Sequence, residues 1–228
     1  LYNVLEIVSN YQKEGEQLRI TDALVTETIQ QNLALYDKSG EQHYDIASAM
    51  IKSIRGSDPN AAVYWLARMI EGGEDIKFIA RRIMISASED IGLANPNALL
   101  MATTAFQAIQ AIGLPEARII LSQAVVYLAT SPKSNSSYLA IKKAQQVVRE
   151  KGNLPVPLAI RNAPTQLMKQ LNYGNDYKYA HDYDGNFTAM EFLPEAISGI
   201  AFFEPSDNPT EEKIRARMKA LWKEKYGY

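Results

Sequence analysis

The sequence predicts an all-α protein, built as an array of antiparallel helices joined by short turns. Between residues 44 and 152, apolar residues recur at spacings of three and four, which is the period of an amphipathic helix. Glycine, proline and helix-capping residues divide this stretch into segments of helical length. No segment shows the sustained alternation of polar and apolar residues that predicts a half-buried strand.

The first two predicted helices have clear start and stop residues. Residues 44–55 form the first helix, which ends at Gly56. Asp58 offers a capping oxygen for the second helix, Pro59 takes its first position, and the helix ends at Gly72. Short turns separate the next helices, which are predicted from Asp75 to Gly92, over residues 97–112, from Pro115 to Ala129, and from Ser134 or Asn135 to Gly152.

The pattern changes after residue 151, where prolines and tyrosines become frequent. Pro164 can open one short helix, and a tyrosine-rich loop follows over residues 173–187. Thr210 is the predicted cap of a final helix, which has Glu211 and Glu212 in its first turn and Lys223 and Lys225 in its last. Both charge groups are placed to complement the helix dipole.

The composition predicts a soluble, globular chain whose surface as a whole is not a nucleic-acid footprint. The chain has 228 residues, a formal net charge of -2 and no cysteine. The missing cysteines exclude disulfides and thiolate zinc sites, and the near-neutral charge limits DNA contacts to local basic patches. The sequence shows neither a signal peptide nor an apolar run of membrane-spanning length, so we expect a cytoplasmic protein with no membrane contact.

The sequence holds no complete set of catalytic residues. The phosphate-binding pattern G-x-x-x-x-G-K-[ST], the dinucleotide pattern G-x-G-x-x-G and the nucleophile turn G-x-S-x-G are all absent. His43 and His181 stand far apart, and neither has a second imidazole at metal-ligand spacing. We therefore predict no catalytic, cofactor-binding or metal-binding residue in this chain.

Three residues of the second predicted helix are candidates for a protein interface. Tyr64, Trp65 and Arg68 fall within about one helical turn, and these residue types supply much of the binding energy at many interfaces. The same cluster could instead stack a nucleic-acid base or pack in the protein core. The sequence leaves these alternatives open.

Five further residues are candidates for contacts to DNA phosphates or other anions. Arg81 and Arg82 can bind phosphates, although the sequence favours ion pairs with nearby glutamates. Arg161 and Asn162 precede a predicted helix start, and Lys169 follows within that helix, which is an arrangement that suits an anion. In the alternative interpretation, Arg161 and Asn162 hold their own loop by bonding to its carbonyl groups.

Several motifs resemble those of one protein family. The sequences R-G-S-D-P-N-A-A-V-Y-W-L-A-R-M-I-E-G-G-E-D at residues 55–75 and A-S-E-D-I-G-L-A-N-P at residues 87–96 are similar to the C-terminal half of the replication-associated recombination protein A family. Its bacterial members are also called MgsA, and its eukaryotic relatives include the Werner-helicase-interacting protein. Further matching motifs are F-I-A-R-R at residues 78–82, L-A-T-S-P-K-S-N at residues 128–135, V-P-L-A-I-R-N-A-P-T at residues 156–165 and Y-K-Y-A-H-D-Y at residues 177–183.

This resemblance implies that the parent protein is an AAA+ ATPase, related to clamp loaders, that acts in DNA replication, recombination and repair at stalled forks. Its ATP- and Mg-binding core would lie upstream of Leu1. Residues 1–40 resemble the end of the ATPase lid, and residues 41–228 resemble a helical collar that joins four subunits. The implied partners are further copies of the chain in a homotetramer, DNA at replication forks and replication proteins, and the implied location is the nucleoid.

Two functions for this chain follow from the residues and the resemblance. The leading hypothesis is a non-catalytic scaffold that assembles the parent ATPase as a homotetramer. The alternative is a DNA-binding module that contacts phosphates through the local basic residues. The chain begins inside a predicted helix, at Leu1 and not at a methionine, so we expect it to be a piece of a longer protein.

Overall fold

The computed structural model describes Thr21 and residues 41–228 of the chain. Throughout residues 41–228 the regular elements are helices and there is no strand, so the all-α prediction is confirmed. The predicted lid segment, residues 1–40, lies outside the described residues except for Thr21. The domain division at residue 40 therefore stays a prediction.

The α-helices of residues 41–228 are connected by short turns up to residue 151 and by longer irregular segments beyond it. A π-helical turn at Ala87–Ile91 and a 3₁₀ turn at Gly92–Ala94 lie between the third and fourth helices. In chain order the α-helices are α1 (Glu41–Arg55), α2 (Pro59–Glu71), α3 (Ile76–Ser86), α4 (Asn97–Ile112), α5 (Ala117–Thr130), α6 (Ser136–Lys151), α7 (Gln166–Gln170) and α8 (Pro209–Trp222).

The start of α2 confirms the capping signals read from the sequence. The Asp58 side chain accepts hydrogen bonds from the backbone N–H groups of Asn60, at 3.0 Å, and Ala61, at 2.9 Å. Pro59 occupies the first turn, where a missing N–H has no cost. At the other end of α2, the N–H of Gly72 donates to the carbonyl of Arg68, so the helix ends where the glycine predicts.

The helix predicted from Asp75 to Gly92 is shorter than expected, because α3 ends at Ser86 and continues as the π-helical and 3₁₀ turns. Ile83, Ala87 and Ile91 are all buried and stand four residues apart. A spacing of four fits both an α-helix and a π-helical turn, so the apolar pattern could not distinguish them. Gly92 has a φ of +47°, which an α-helix does not contain.

The predicted cap of the last helix is wrong by two residues. Asn208 is the cap, since its side-chain oxygen accepts a hydrogen bond from the N–H of Glu211 at 3.0 Å, and Pro209 is the first helical residue. The Thr210 hydroxyl donates instead to the carbonyl of Ala94, at 3.1 Å. The helix ends at Trp222, so the two lysines predicted in its last turn lie beyond it.

The chain divides into two compact units. Among the described residues, the first contains those up to Ala87 together with Asn97–Ser131, and the second consists of Ser88–Pro96 and Pro132–Tyr228. In the first unit, α5 contacts each of α1, α2, α3 and α4 and is therefore its central helix. The fully buried large side chains of this unit include Met50, Ile54, Leu66, Met69, Ile79, Ile83, Ile109, Leu121 and Leu128.

The second unit is built differently. From residue 132 to residue 228, all of which the structure describes, no leucine, isoleucine, valine, methionine or aromatic side chain is buried. Within this unit, α6 and α8 both contact the 3₁₀ turn at Gly92–Ala94. The residues that are buried in this stretch are Ser134, Ser136, Pro205 and Glu211.

Candidate functional site

The aromatic and arginine residues predicted as an interface are brought together on α2. The rings of Tyr64 and Trp65 meet edge to face, with centroids 5.0 Å apart. The guanidinium carbon of Arg68 lies 5.5 Å from the centroid of the Trp65 ring, within the range of a cation–π contact. Tyr64 is 57% exposed, Arg68 is exposed and Trp65 is half-buried, so this cluster lies at the surface of the first unit.

A groove runs beside this cluster, between α1 and α2. Its volume is about 370 Å³, and Trp65 and Arg68 form one wall. Asp45, Ile46 and Ala49 of α1 form the other. The groove thus combines an apolar lining with one acidic and one basic side chain. We refer to Tyr64, Trp65 and Arg68 together as the α2 cluster.

Arg81 and Arg82 lie on α3, in the same unit as the α2 cluster. Arg81 is exposed, with a guanidinium nitrogen 3.9 Å from a carboxylate oxygen of Asp75 and its guanidinium carbon 6.0 Å from the Phe78 ring centroid. Arg82 is half-buried. The ion pair of Arg81 is solvent-exposed and contributes little to stability, and its partner is Asp75, not one of the glutamates considered from the sequence.

Arg161 holds its own loop together in the second unit. Its Nε donates to the carbonyl of Val156 at 2.6 Å, and one of its terminal nitrogens donates to the Tyr173 hydroxyl at 3.1 Å. The guanidinium also lies 4.9 Å from the centre of the Tyr173 ring. Asn162 and Lys169 are exposed. These contacts support the loop-holding interpretation of Arg161 over the anion-binding one.

The five candidate anion contacts do not all belong to the same unit. Arg81 and Arg82 are in the first unit, whereas Arg161, Asn162 and Lys169 are in the second. Helix α7, which carries Lys169, has five residues and gives a weak helix dipole. A groove of about 530 Å³ lies beside Arg161 and Asn162, with Tyr177 and Phe192 among its lining residues.

Sequence reasoning missed a buried carboxylate, Glu211, that connects two segments of the second unit, residues 134–136 and 206–211. Glu211 is fully buried. One carboxylate oxygen accepts from the N–H of Ser206 at 2.9 Å, and the other accepts from the side-chain amide of Asn208 at 3.0 Å. The hydroxyls of Ser134 and Ser136 also hydrogen-bond to this carboxylate. We call these five residues the Glu211 cluster.

The environment of Glu211 stabilises its charged form. Burial alone would raise the pKa of this carboxyl, but hydrogen bonds from Ser134, Ser136, Ser206 and Asn208 outweigh it and lower the pKa. A signal for this site was present in the sequence, because Asn208 and Glu211 have the spacing of a capping box. The sequence could not show that Ser134 and Ser136 would meet the same carboxylate.

The remaining side chains give no sign of a metal centre. Among residues 41–228 and Thr21, no group of three histidine, aspartate or glutamate side chains is placed to hold a metal ion. His43 is buried in the first unit, where it hydrogen-bonds to Glu74 and packs against Phe78, with ring centroids 4.5 Å apart. His181 is exposed.

None of the described helices is long and apolar enough to cross a membrane.

Two family models and several known proteins are similar to this chain. Residues 56–222 match the family model described as "MgsA AAA+ ATPase C terminal", and residues 1–55 match the one described as "AAA C-terminal domain". "Replication-associated recombination protein A" of Coxiella burnetii is 43% identical over 95% of this chain and 50% of its own length. The Escherichia coli K12 protein of the same name is 38% identical over 96% of this chain and 50% of its own length.

A eukaryotic relative has the same region within a longer protein. "ATPase WRNIP1" of Dictyostelium discoideum is 42% identical over 77% of this chain and 20% of its own length. The chain spans about half the length of the bacterial recombination proteins named above. With a family match that covers most of its residues, the chain belongs to the family of MgsA AAA+ ATPase C-terminal regions.

Proposed function

We propose that this chain is the C-terminal scaffold through which an AAA+ ATPase of replication-associated recombination assembles as a homotetramer. Its family membership and the names of its relatives support an ATPase activity of the parent protein in replication-associated recombination. In this proposal ATP and Mg bind to a part of the parent outside this chain. The assembled protein works on DNA at replication forks, in the nucleoid of the cytoplasm, and together with replication proteins.

The observation that carries the assembly role is the exposed α2 cluster. Tryptophan, tyrosine and arginine are the residues most enriched among interface positions that dominate binding energy. A half-buried tryptophan with an exposed tyrosine and arginine beside it, at the edge of an apolar groove, is the arrangement such positions adopt. The alternative of core packing does not account for a tyrosine that is more than half exposed.

Two tyrosines with matched exposure test this role. Tyr64 is 57% exposed on α2, and Tyr179 is 54% exposed in the second unit. We expect Tyr64→Ala to raise the dissociation constant of the assembly about tenfold or more, as loss of a central aromatic side chain does. Tyr179→Ala should leave it unchanged. The measurement is absolute mass by light scattering after size exclusion, over a concentration series.

Trp65→Ala should weaken assembly further, since its ring forms one wall of the groove. A circular dichroism melt of each variant separates lost assembly from lost folding. The α2 cluster is not the interface if the masses of both α2 variants equal that of the wild type. A wild-type chain that stays monomeric at every concentration would remove the assembly role of this chain altogether.

The DNA-binding alternative has less support from the described contacts, because two nitrogens of Arg161 already donate within the protein. It predicts an affinity for forked or single-stranded DNA that falls steeply with salt, by about tenfold or more between 50 and 200 mM for a few phosphate contacts. A fluorescence anisotropy titration at both salt concentrations measures this affinity. Undetectable or salt-independent binding would exclude the alternative.

A further inference from the structure

A long segment of the second unit has no buried residue. Residues 153–204 follow α6 and are all described, yet each of them is at least partly exposed. The longest helix among them, α7, has five residues, and the other helical turns are 3₁₀ turns of three residues. Local opening costs least free energy where few apolar side chains are buried. We call this segment the flap, and burial does little to hold it in place.

The flap nevertheless has bonds that maintain its own shape. The N–H of Gly174 donates to the carbonyl of Leu158 at 2.9 Å. Arg161 bonds to Val156 and to Tyr173, as described above. These bonds join one part of the flap to another and do not reach α6 or α8. The flap can therefore move away from the helices without losing them.

The chain segments on either side of the flap meet at the Glu211 cluster. Ser136, at the start of α6, and the N–H of Ser206, two residues after the flap, both hydrogen-bond to the Glu211 carboxylate. Gly152 joins α6 to the flap, with a φ of +69° and a ψ of -158°, a region that glycine populates almost alone. A glycine absorbs changes of backbone direction easily. The flap is thus a loop that is closed at its base and has a glycine at one end.

One ion pair joins the flap to the segment that follows α8. The ammonium group of Lys225 lies 3.3 Å from a carboxylate oxygen of Glu191, which belongs to the flap. The same ammonium lies over the ring of Trp222, 4.7 Å from its centroid, and over that of Tyr226, 5.1 Å from its centroid. Ser198 of the flap donates a hydrogen bond to the same oxygen of Glu191. We call Lys225 and Glu191 the clasp.

Other contacts of the flap accompany the clasp. A second ion pair joins Lys143 of α6 to Glu204 at 2.9 Å, but these side chains are 47% and 70% exposed, so the pair contributes little. The ring of Trp222 meets those of Phe187 and Phe192 edge to face, with centroids 5.2 and 6.3 Å away. The clasp side chains are only 24% and 35% exposed, so water weakens their attraction less. The clasp is therefore the stronger of the two ion pairs.

We infer that the flap opens and closes while the helices of the protein stay folded, and that the Lys225–Glu191 clasp sets how often it opens. Opening separates the rings of Phe187 and Phe192 from that of Trp222 and frees both charges of the clasp. Salt screens those charges, so the exposure of this aromatic surface follows ionic strength. The flap and the clasp lie entirely in the second unit, so the inference does not depend on the α2 cluster.

The tryptophans of the chain allow opening to be measured directly. The chain has two, Trp65 and Trp222, so Trp65→Phe leaves Trp222, which contacts the flap, as the one tryptophan. In a urea titration of this variant, we expect the emission of Trp222 to change at a lower urea concentration than the helical circular dichroism. Hydrogen exchange in α8 should stay slow between the two transitions. Coincident transitions, or fast exchange in α8 at the first one, would overturn the inference.

Lys225→Gln in this Trp65→Phe background tests the clasp, and Lys213→Gln is its matched control. Both substitutions remove one positive charge, but Lys213 is an exposed residue of α8 outside the clasp. Because Lys225→Gln removes the ion pair and the cation–π contact together, it should raise the ratio of open to closed flap about tenfold at a fixed urea concentration. Lys213→Gln should leave this ratio unchanged. Lys225→Arg keeps the charge and should stay close to the ratio of the background chain.

Salt distinguishes an electrostatic clasp from one that acts by packing alone. Between about 0.1 M and 1 M sodium chloride the screening length falls from roughly 10 Å to 3 Å. We expect the ratio of open to closed flap to rise several-fold in the background chain and less in Lys225→Gln, where only the Lys143 pair remains to be screened. The clasp has no such role if Lys225→Gln behaves like Lys213→Gln, or if the two variants respond equally to salt.

Discussion

The two units of this protein are compact for different physical reasons. The first unit buries a set of aliphatic side chains around α5. Two of them, Leu121 and Leu128, have no exposed surface. In the second, the buried groups beyond residue 131 are two serines, a proline and a carboxylate. The buried apolar side chains of the second unit come from its Ser88–Pro96 segment, in Ile91 and Ala94, so beyond residue 131 a hydrogen-bonded polar centre takes the place of an apolar core. The stabilisation of the two units and its sensitivity to mutation therefore differ.

Partly exposed aromatic rings supply the remaining contacts of the second unit. The Trp222 ring meets the rings of Phe187 and Tyr226 edge to face, with centroids 5.2 Å away in each case. The ammonium group of Lys225 lies 4.7 Å from the Trp222 ring centroid and 3.3 Å from a carboxylate oxygen of Glu191. Because these rings stay partly exposed, they remove less apolar surface from water than the core of the first unit does.

The largest expected effect is a leucine truncation in the first unit. Leu128→Ala removes a fully buried side chain next to other core residues and leaves a cavity, so it should lower the free energy of unfolding by about 2–5 kcal/mol. Leu139→Ala on the exposed side of α6 should change it by less than about 0.5 kcal/mol. Urea unfolding of both variants measures the difference, and equal losses would contradict the contrast between the units.

A smaller loss is expected from Glu211→Gln in the second unit. The amide of glutamine presents two N–H groups where the backbone of Ser206 and the side chain of Asn208 already donate. Hydrogen bonds to a charged group contribute about 1.5–3 kcal/mol, and we expect a loss within that range. Hydrogen exchange should accelerate around residues 134–136 and 205–211 and stay unchanged in α5. Unchanged exchange at 205–211 would show that the carboxylate does not hold these segments.

The same carboxylate makes the second unit sensitive to acid. The folded pKa of Glu211 is lowered from its ordinary value of 4.5, so the unfolded chain binds this proton more readily than the folded one. Its contribution to the free energy of unfolding is complete above pH 4.5 and is lost as the pH falls through the lower folded pKa. The difference between wild type and Glu211→Gln, measured from pH 7 downwards, should shrink in this range.

The smallest effect expected to be measurable comes from a glycine beside the same cluster. A Cβ at Gly92, which has a φ of +47°, would lie 2.8 Å from the carbonyl oxygen of Ser134. At Gly185, which has a φ of +68°, nothing lies within 4 Å. Gly92→Ala should therefore cost roughly 1–2 kcal/mol more than Gly185→Ala, whose cost is that of the left-handed conformation alone. Thermal unfolding of the two variants gives the comparison, and equal costs would mean that the Ser134 segment moves away freely.

Much of the first unit could be predicted from the sequence, because its signals are local. Asp58 with Pro59 marked the start of α2, and Gly72 marked its end, since capping and helix termination depend on neighbouring residues. The closeness of Trp65 and Arg68 followed from their spacing of three residues on one helix. The contact between the adjacent rings of Tyr64 and Trp65 did not follow from that rule. The exposure of Tyr64 did not follow, because it depends on which side of α2 packs against α1 and α5.

The second unit was harder to predict, because its contacts join distant residues. The π-helical turn has the same apolar spacing as an α-helix, so the end of α3 was placed six residues late. Thr210 has the chemistry of a cap, but the structure uses it to bond Ala94, 116 residues earlier in the chain.

The hydrogen bond from Thr210 to Ala94 has a consequence for the order in which the chain folds during synthesis. Helices α1 to α5 contact each other and are complete once Ser131 has left the ribosome. The segment Ser88–Pro96, although made earlier than α4 and α5, belongs to the second unit and bonds to residues near 134 and 210. At 5–20 residues per second, that segment waits roughly 4–16 seconds between the completion of α5 and the arrival of Thr210. During this interval the carbonyl group of Ala94 lacks its Thr210 donor and can bond to water, and the nascent protein has one finished unit and one unfinished one.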